Sequence, residues 1–334
     1  MGARNSIRMR SGGHGSPRRA PGFAFIAALV LTALLSLLAL EFSRRSSIGL
    51  RMAVNAAQAR KAYHYALGGY RVALRVLLLD DNEYDGPGDP WHEQLPPVPF
   101  GEGSVQISVA DEQSRFNLGR LVTDYGERDA RSAVMLERLL RQLDIDAGVV
   151  DALVDWQDAD ETPLPGGGEA SLYAAKRPPY RPPNRRMLTV GESLLVEGMD
   201  RELLFAPPSA RSPAGDRELG PLSRYVTVYG NGRVNINTAG IPVLLTLSRD
   251  LDLSIARDIL DRREQQPFRS LEELRELDAV DDTLFEEIDS LITVKSDTFR
   301  VRVSGSVGSI VRTVEAVVRR EGERIRVVYF SRSG

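Results

Sequence analysis

The sequence predicts an α+β protein in which a long N-terminal helix packs on a small antiparallel sheet, with a large, mainly helical segment inserted between the strands. Three observations lead to this fold class: an apolar stretch that continues into an amphipathic helix, helical periodicity in the middle of the chain, and valine-rich alternation near its end. The 334 residues are 42% hydrophobic and 27% charged, as in folded proteins. The absence of cysteine excludes disulfides, thiolate metal sites and a cysteine nucleophile.

The formal charge of −3 is unevenly distributed along the chain. The first 22 residues contain five arginines and no acid, so their removal changes the charge from −3 to −8. An acidic protein repels a phosphate backbone and attracts hard cations such as calcium, although the same charge also serves solubility alone.

The first predicted element is a long N-terminal helix. Residues Phe23 to Leu40 carry no charge, and only Thr32 and Ser36 are polar. These 18 residues would span about 27 Å as a helix, close to the thickness of a bilayer core. A cleavable secretory signal or an ordinary signal anchor has a similar pattern, but no small-x-small cleavage site follows the stretch. Apolar residues recur every three or four positions to about Leu79, which predicts a single helix of roughly 85 Å.

The remaining elements follow from changes in periodicity. A turn-rich stretch at residues 80–88 and a proline-rich loop at 96–99 precede the first predicted strand. The predicted strands are Ser104–Val109, Tyr225–Tyr229, Phe299–Ser304, Val307–Arg319 and Ile325–Phe330. The predicted helices are Ala133–Leu143, Ala147–Trp156, Leu194–Leu204 and further helices between Ile241 and Leu291, with turns at residues 158–183 and a loop at 211–219.

The densest acidic cluster begins at Asp155 and ends at Glu161, and Glu169 follows it across three glycines. Carboxylates beside a flexible loop can supply several oxygen ligands to one calcium ion, but they can equally be the solvated end of a helix. The spacing does not fit an EF-hand, which has a glycine at its sixth position.

Residues 235–239, NINTA, and the apolar positions that follow them resemble a helix-hairpin-helix module, many of which bind the DNA backbone. Such hairpins present glycine amides to phosphate, whereas the turn from Ser248 to Ser254 contains two acids and no glycine. A role in packing or protein contact is therefore preferred to DNA binding. No catalytic motif accompanies His14, His64 or His92, and the sequence predicts that the protein is not an enzyme.

The junction between the basic segment and the apolar stretch resembles the processing site of type IV pilins and pseudopilins. In that family a prepilin peptidase cleaves after a glycine and methylates the new N-terminal residue, here Gly22 and Phe23. Most pilins carry a glutamate five residues into the mature chain, where this sequence has Ala27. The missing acid is characteristic of K-type pseudopilins of type II secretion systems. The leader is long for the family, so Met1 and Met9 are alternative starts.

The resemblance covers almost the whole chain, from the processing site to the valine-rich end. It implies a minor pseudopilin at the tip of the secretion pseudopilus, which initiates pseudopilus assembly for protein export across the outer membrane. It implies a single-pass inner-membrane protein with a periplasmic C-terminal domain. The expected partners are I-type and J-type minor pseudopilins, the prepilin peptidase, the inner membrane, the secretin and exported proteins, and no nucleic acid. The alternative is a membrane-anchored helix-hairpin-helix DNA-binding protein.

The resemblance also implies domain limits and ligands. The expected parts are a leader at 1–22, a transmembrane and spine helix at 23–80, an α/β core at 81–118 and 292–334, and an inserted α-domain at 119–291. Family members bind calcium in this α-domain, and position assigns Asp158, Asp160 and Glu169 as ligands, with Asp155 as a further candidate. The family often has two consecutive acids where this chain has Glu169 followed by Ala170, so the expected set is one acid shorter.

Overall fold

A computed structural model describes residues 21–80, 83–207 and 219–333. The expected leader up to residue 20 lies outside these ranges, together with both candidate start residues. Two residues of the turn-rich stretch, Asp81 and Asn82, and residues 211–218 of the predicted loop also lie outside them. The chain divides into two compact units, the first ending at Gln58 and the second beginning at Ala59.

The first helix, α1, extends from Pro21 to Leu79 and confirms the predicted long helix. In the first unit its residues from Gly22 to Ala56 are all exposed, including its large apolar side chains. By length and composition, this helix is able to cross a membrane. Exposed apolar side chains on this scale are costly in water and need another environment.

The elements after α1 come in runs of strands and runs of helices. In chain order they are β1 (Val98–Phe100), β2 (Gly103–Asp111), β3 (Phe116–Asn117), α2 (Ala130–Gln142), α3 (Val149–Asp155), α4 (Ala170–Ala174), α5 (Arg201–Phe205), β4 (Val226–Thr227), β5 (Val234–Asn235), α6 (Ile241–Leu244), α7 (Leu253–Gln265), α8 (Asp282–Ile288), β6 (Ile292–Thr293), β7 (Thr298–Val307), β8 (Ile310–Glu321) and β9 (Arg324–Ser333).

Five strands form one antiparallel sheet in the order β1-β2-β7-β8-β9. The predicted pairing of the early strand with the C-terminal strands is therefore confirmed. The predicted loop at residues 96–99 is wrong in part. Val98–Phe100 pairs with β2 as an edge strand. Pro99 is tolerated there, since an edge strand has one side on which no ladder hydrogen bond is required.

The second part of α1 packs on this sheet through one face. Its buried residues recur every three or four positions: Ala62, Ala66, Tyr70, Ala73 and Leu77. They meet alternate residues of the strands, among them Val301, Val303 and Val314. The contact is close, because a Cβ atom added to Gly305 of β7 would lie 2.2 Å from the backbone oxygen of Ala62. Sheet and helix thus share one core, because every third or fourth residue of the helix and every second residue of each strand face the same side.

The segment between β2 and β7 forms a second hydrophobic core. The structure confirms helices near the first two predicted positions, α2 and α3. The helix predicted at Leu194–Leu204 is wrong: residues Val190–Leu195 form a 3₁₀ turn, and α5 begins at Arg201. Gly198 lies between them with a φ of +79°, a left-handed conformation that ends helical geometry. The strand predicted at residues 225–229 shortens to β4, which pairs in parallel with β3.

Candidate functional site

Three of the four predicted ligands converge in the segment between β2 and β7. Asp155 is the last residue of α3, Asp158 follows in the next turn, and Glu169 immediately precedes α4. One carboxylate oxygen of each lies within 4.8 Å of the others, and each residue is at most 4% exposed. Asp160 is exposed instead, and its Oδ1 accepts a hydrogen bond from the backbone N–H of Thr162 at 2.7 Å.

The residues between these acids hold the turn in place. Gln157 donates its Nε2 to the backbone oxygens of Leu118 and Leu153, and its Oε1 accepts from the N–H of Met187. Because this buried amide is satisfied by three separate segments, the turn that carries Asp158 is fixed relative to α3.

An aromatic cluster lies next to the acids. Trp156 packs edge-on against Tyr173, with ring centroids 5.2 Å apart, and against Tyr180 at 6.2 Å. Its Nε1 donates to Glu192 Oε1 at 3.1 Å. Burial raises the pKa of Tyr173 to about 12, so its hydroxyl stays neutral beside the acids. The three rings therefore pack as one group beside the turn that carries Asp158.

The glycine-rich turn approaches the acids closely. A Cβ atom added to Gly167 would lie 2.1 Å from Oδ2 of Asp155. The backbone N–H of Leu164 donates to the same carboxylate at 3.0 Å. Only a residue without a side chain fits at position 167, and this close approach folds the loop over Asp155.

The electrostatics of the three acids are unfavourable in the absence of a cation. Burial, followed by the neighbouring carboxylates, raises the pKa of Asp158 and that of Glu169 to about 7. Burial also raises the pKa of Asp155, although the N–H of Leu164 opposes the shift. Within residues 21–80, 83–207 and 219–333, no lysine or arginine forms an ion pair with any of the three.

Three buried oxygens in this cluster have no hydrogen-bond donor: Oδ1 of Asp158 and both Oε atoms of Glu169. Buried polar atoms are rarely left without partners, because each costs about 1–3 kcal/mol. Although Glu169 occupies the N-cap position of α4, its carboxylate does not cap the helix. Convergent carboxylate oxygens with free lone pairs are the ligands that a hard divalent cation prefers. The residues present therefore fit such an ion.

A second acidic group, Asp80, Asp85 and Asp89, has a different character. The guanidinium of Arg320 forms ion pairs with Asp80 at 3.1 Å and with Asp85 at 2.5 Å. This cation supplies the countercharge that the first cluster lacks. The sequence predicted a turn-rich stretch at residues 80–88, but nothing in it pointed to a partner on β8.

A buried junction joins the sheet to the segment that interrupts it. Asp111, the last residue of β2, accepts hydrogen bonds from Asn235 Nδ2 at 3.0 Å, Ser296 Oγ at 2.7 Å and Thr238 Oγ1 at 2.6 Å. Burial raises the pKa of Asp111, opposed by these donors. Two of the donors belong to the NINTA motif, which therefore links the helical segment to the end of β2 in this chain.

In the segment that resembles a helix-hairpin-helix, an acid binds two backbone amides at the start of the second helix. Helix α6 is four residues long, and α7 begins after Asp252. The carboxylate of Asp252 accepts from the backbone N–H groups of Ser254 and Ile255 at 2.8 and 3.0 Å. A helix N-terminus binds phosphate through such N–H groups, and here an acid occupies them.

Comparison with known proteins gives a consistent result. Two family models match, both described as "Type II secretion system (T2SS), protein K", at residues 114–206 and 234–295. The type II secretion system protein K of Pseudomonas aeruginosa is 29% identical over 263 residues, which cover 75% of this chain and 74% of that protein. The Aeromonas hydrophila protein of the same name is 26% identical over 325 residues, covering 90% and 93%.

A solved structure shares the fold. It is the crystal structure of the GspK–GspI–GspJ complex from the type 2 secretion system of enterotoxigenic Escherichia coli. The match has a TM-score of 0.66 at 20% identity and covers 84% of this chain and 99% of the other. At this identity the likeness establishes the fold.

Proposed function

Because this chain belongs to the type II secretion system protein K family, we propose that it is the minor pseudopilin at the tip of the secretion pseudopilus and initiates pseudopilus assembly for protein export. The observation that carries the proposal is α1, whose apolar residues from Phe23 to Val54 are exposed along one continuous helix. Helices of this kind are stabilised by lipid or by the helices of neighbouring subunits.

The proposed partners are the I-type and J-type minor pseudopilins. A structural neighbour of this chain was crystallised as a GspK–GspI–GspJ complex, which supports partners of these types. The exposed face of α1 offers the apolar surface for helix-to-helix packing. In the proposed assembly the mainly helical segment caps the end of the filament, because its bulk prevents it from fitting between stacked subunits. The secretin and exported proteins are proposed as further partners.

We propose that the protein is anchored in the inner membrane with residues beyond α1 in the periplasm, and that a prepilin peptidase processes it. Cleavage between Gly22 and Phe23 would leave the whole apolar helix on the mature protein. Intact-mass analysis of the full chain, expressed with and without the peptidase, tests this step. We expect loss of residues 1–22 and one methyl group on Phe23. Gly22→Val should block cleavage, whereas Gly49→Val, at another open helical position, should not. Cleavage elsewhere would contradict the proposal.

The assembly function is tested in a strain that lacks this chain. Export of the secreted proteins and formation of the pseudopilus should be lost and should return with the full-length chain. The detergent-solubilised protein should co-purify with the I-type and J-type subunits. Unchanged export in the deletion strain would refute the function. A low-salt gel shift with duplex DNA addresses the alternative, since a phosphate-backbone binder is detected most readily at low salt.

We further propose that Asp155, Asp158 and Glu169 hold a calcium ion that stabilises the helical segment. The buried oxygens of Asp158 and Glu169 without donors support this assignment, and calcium takes about six to eight oxygen ligands, to which backbone carbonyls and water also contribute. Asp160 stays a predicted ligand that lies outside this set. The bound ion would neutralise the repulsion among the three carboxylates and link α3 to α4.

A further inference from the structure

A cavity in the segment between β2 and β7 combines arginine side chains with an apolar floor. It measures about 360 Å³ and lies between the start of α2 and the turn that precedes β5. Arg120, Arg131 and Arg233 line it, with Asp129 as the one acidic residue among its lining. Phe116, Met135, Val234 and Leu291 supply its apolar surface. The volume is near the lower end of the range for small-ligand sites, about 300–1,000 Å³, and suits a few side chains.

Two of the three arginines have no countercharge. Arg120 and Arg233 are exposed, and neither forms an ion pair with any acid in the described parts of the chain. The side chain of Arg120 lies over Gly232, where an added Cβ atom would be 2.4 Å from its Cδ. Gly232 also has a φ of +86°, so a side chain there is disfavoured both by the contact with Arg120 and by the backbone conformation. The backbone thus leaves room for Arg120 at the edge of the cavity.

The third arginine is held in place by the protein. Arg131 donates to the backbone oxygen of Glu287 and to Ser290 Oγ, the latter at 3.3 Å. The single acid, Asp129, already accepts a hydrogen bond from the N–H of Ser132 at 2.7 Å. The side chains around the cavity therefore carry a net positive charge in a protein whose chain after residue 22 is strongly acidic. An anionic group is the ligand that this charge selects.

From this geometry we infer that the cavity binds an acidic peptide segment, in which a carboxylate side chain lies next to an apolar one. The apolar floor takes the apolar side chain, while Arg120 and Arg233 bind the carboxylate at the rim. A nucleic acid fits less well, because its phosphates need cations along an extended groove and offer nothing to the buried floor. Arginine is also the residue best matched to the planar carboxylate fork.

Fluorescence anisotropy with a defined probe tests this inference on the full-length chain in detergent micelles. The probe is a labelled five-residue peptide, glycine–aspartate–leucine–glutamate–glycine, blocked at both ends. We expect saturable binding that weakens about tenfold or more in Arg120→Glu and in Arg233→Glu, since each removes a charge-assisted contact. Arg71→Glu is the matched control, because the substitution makes the same charge change. Arg71 is exposed on α1 and lies outside the cavity.

Two altered peptides test which chemical groups of the ligand are needed for binding. The peptide with asparagine and glutamine in place of its acids should not bind, and the peptide with glycine in place of leucine should bind more weakly. Circular dichroism confirms that each variant keeps its fold. The inference is overturned if the wild-type chain does not bind the probe, or if Arg71→Glu weakens binding as much as the cavity variants. Displacement of the probe by a single-stranded oligonucleotide at lower concentration than by unlabelled peptide would overturn it in favour of phosphate.

Discussion

The carboxylates of Asp158 and Glu169 share one buried site in which three of their four oxygens have no hydrogen-bond donor. Eleven positions separate the two residues in sequence, and the glycine-rich turn brings them together over Asp155. Each carboxyl has a pKa raised to about 7, chiefly by burial. The arrangement therefore makes the stability of this segment depend on both cation and proton concentration.

Calcium should raise the melting temperature of the metal-stripped protein. An ion at about 100 times its dissociation constant adds about 2.7 kcal/mol, which corresponds to a shift of about 5 °C or more. Asp158→Asn should abolish the shift without lowering the melting temperature of the metal-free protein, because it removes a charge that is repelled there. Scanning calorimetry measures both effects.

Two exposed neighbours serve as controls for this prediction. Glu161→Gln should keep the calcium shift, and Asp160→Asn should keep most of it, because both side chains are exposed. A reduced shift in Asp160→Asn would add this residue to the ligands. The absence of any shift in the wild-type protein at millimolar calcium would refute the metal site.

Without calcium, stability should fall as the pH rises from about 4 to about 7. In the unfolded chain carboxyl groups titrate near pH ~4, whereas Asp158 and Glu169 in the folded chain do so at about 7. In this window the folded state binds more protons, so removal of protons favours unfolding, by an amount on the order of 2–4 kcal/mol. Urea unfolding at pH 5, 6 and 7.5 measures the trend.

Calcium should remove this pH dependence, because the ion binds the ionised carboxylates and releases their protons. The double variant Asp158→Asn, Glu169→Gln should have a flatter pH profile than the wild type in metal-free buffer. Equal slopes in the two proteins would show that these residues do not cause the effect.

Replacement of Asn235 should destabilise the junction between the sheet and the helical segment. Its Nδ2 lies 2.9 Å from the backbone oxygen of Asp85, 3.0 Å from Asp111 Oδ2 and 2.9 Å from Ser296 Oγ. Asn235→Ala leaves these buried acceptors short of a donor and should cost about 2–4 kcal/mol in urea unfolding. Ser309→Ala, at an exposed position in the β7–β8 turn, should stay within about 0.5 kcal/mol. Similar values for both variants would contradict the assigned role.

Two glycines, one at the interface of helix and sheet and one on the open side of the helix, should respond in opposite directions to a change to alanine. Gly305→Ala places a methyl group 2.2 Å from the backbone oxygen of Ala62, so α1 has to move away from β7, at a cost of about 1–3 kcal/mol or more. Gly68→Ala meets nothing within 4 Å on the open side of α1 and should stabilise the helix by about 0.5–1 kcal/mol. If both substitutions shift the melting temperature in the same direction, this account of the packing is contradicted.

Local signals in the sequence were sufficient for a large part of the architecture. Periodicity predicted α1 to its C-terminal residue, Leu79, and predicted the valine-rich strands of the sheet. The acidic cluster was also within reach, because Asp155, Asp158 and Glu169 are close in sequence. The helix predicted at Leu194–Leu204 was wrong, since apolar spacing does not reveal that Gly198 adopts a left-handed conformation.

The sequence by itself determined the membrane-length helix, the strand pattern and the acidic stretch that contains the candidate ligands, because each depends on residues that are neighbours along the chain. Only the tertiary structure decided that Asp160 stays outside the cluster, that Arg320 neutralises Asp85 from 235 positions away, and that Arg120 and Arg233 line one cavity. Such contacts depend on how segments that are distant in sequence pack together. No local pattern records which distant charge, donor or cavity wall a residue will meet when burial brings them together.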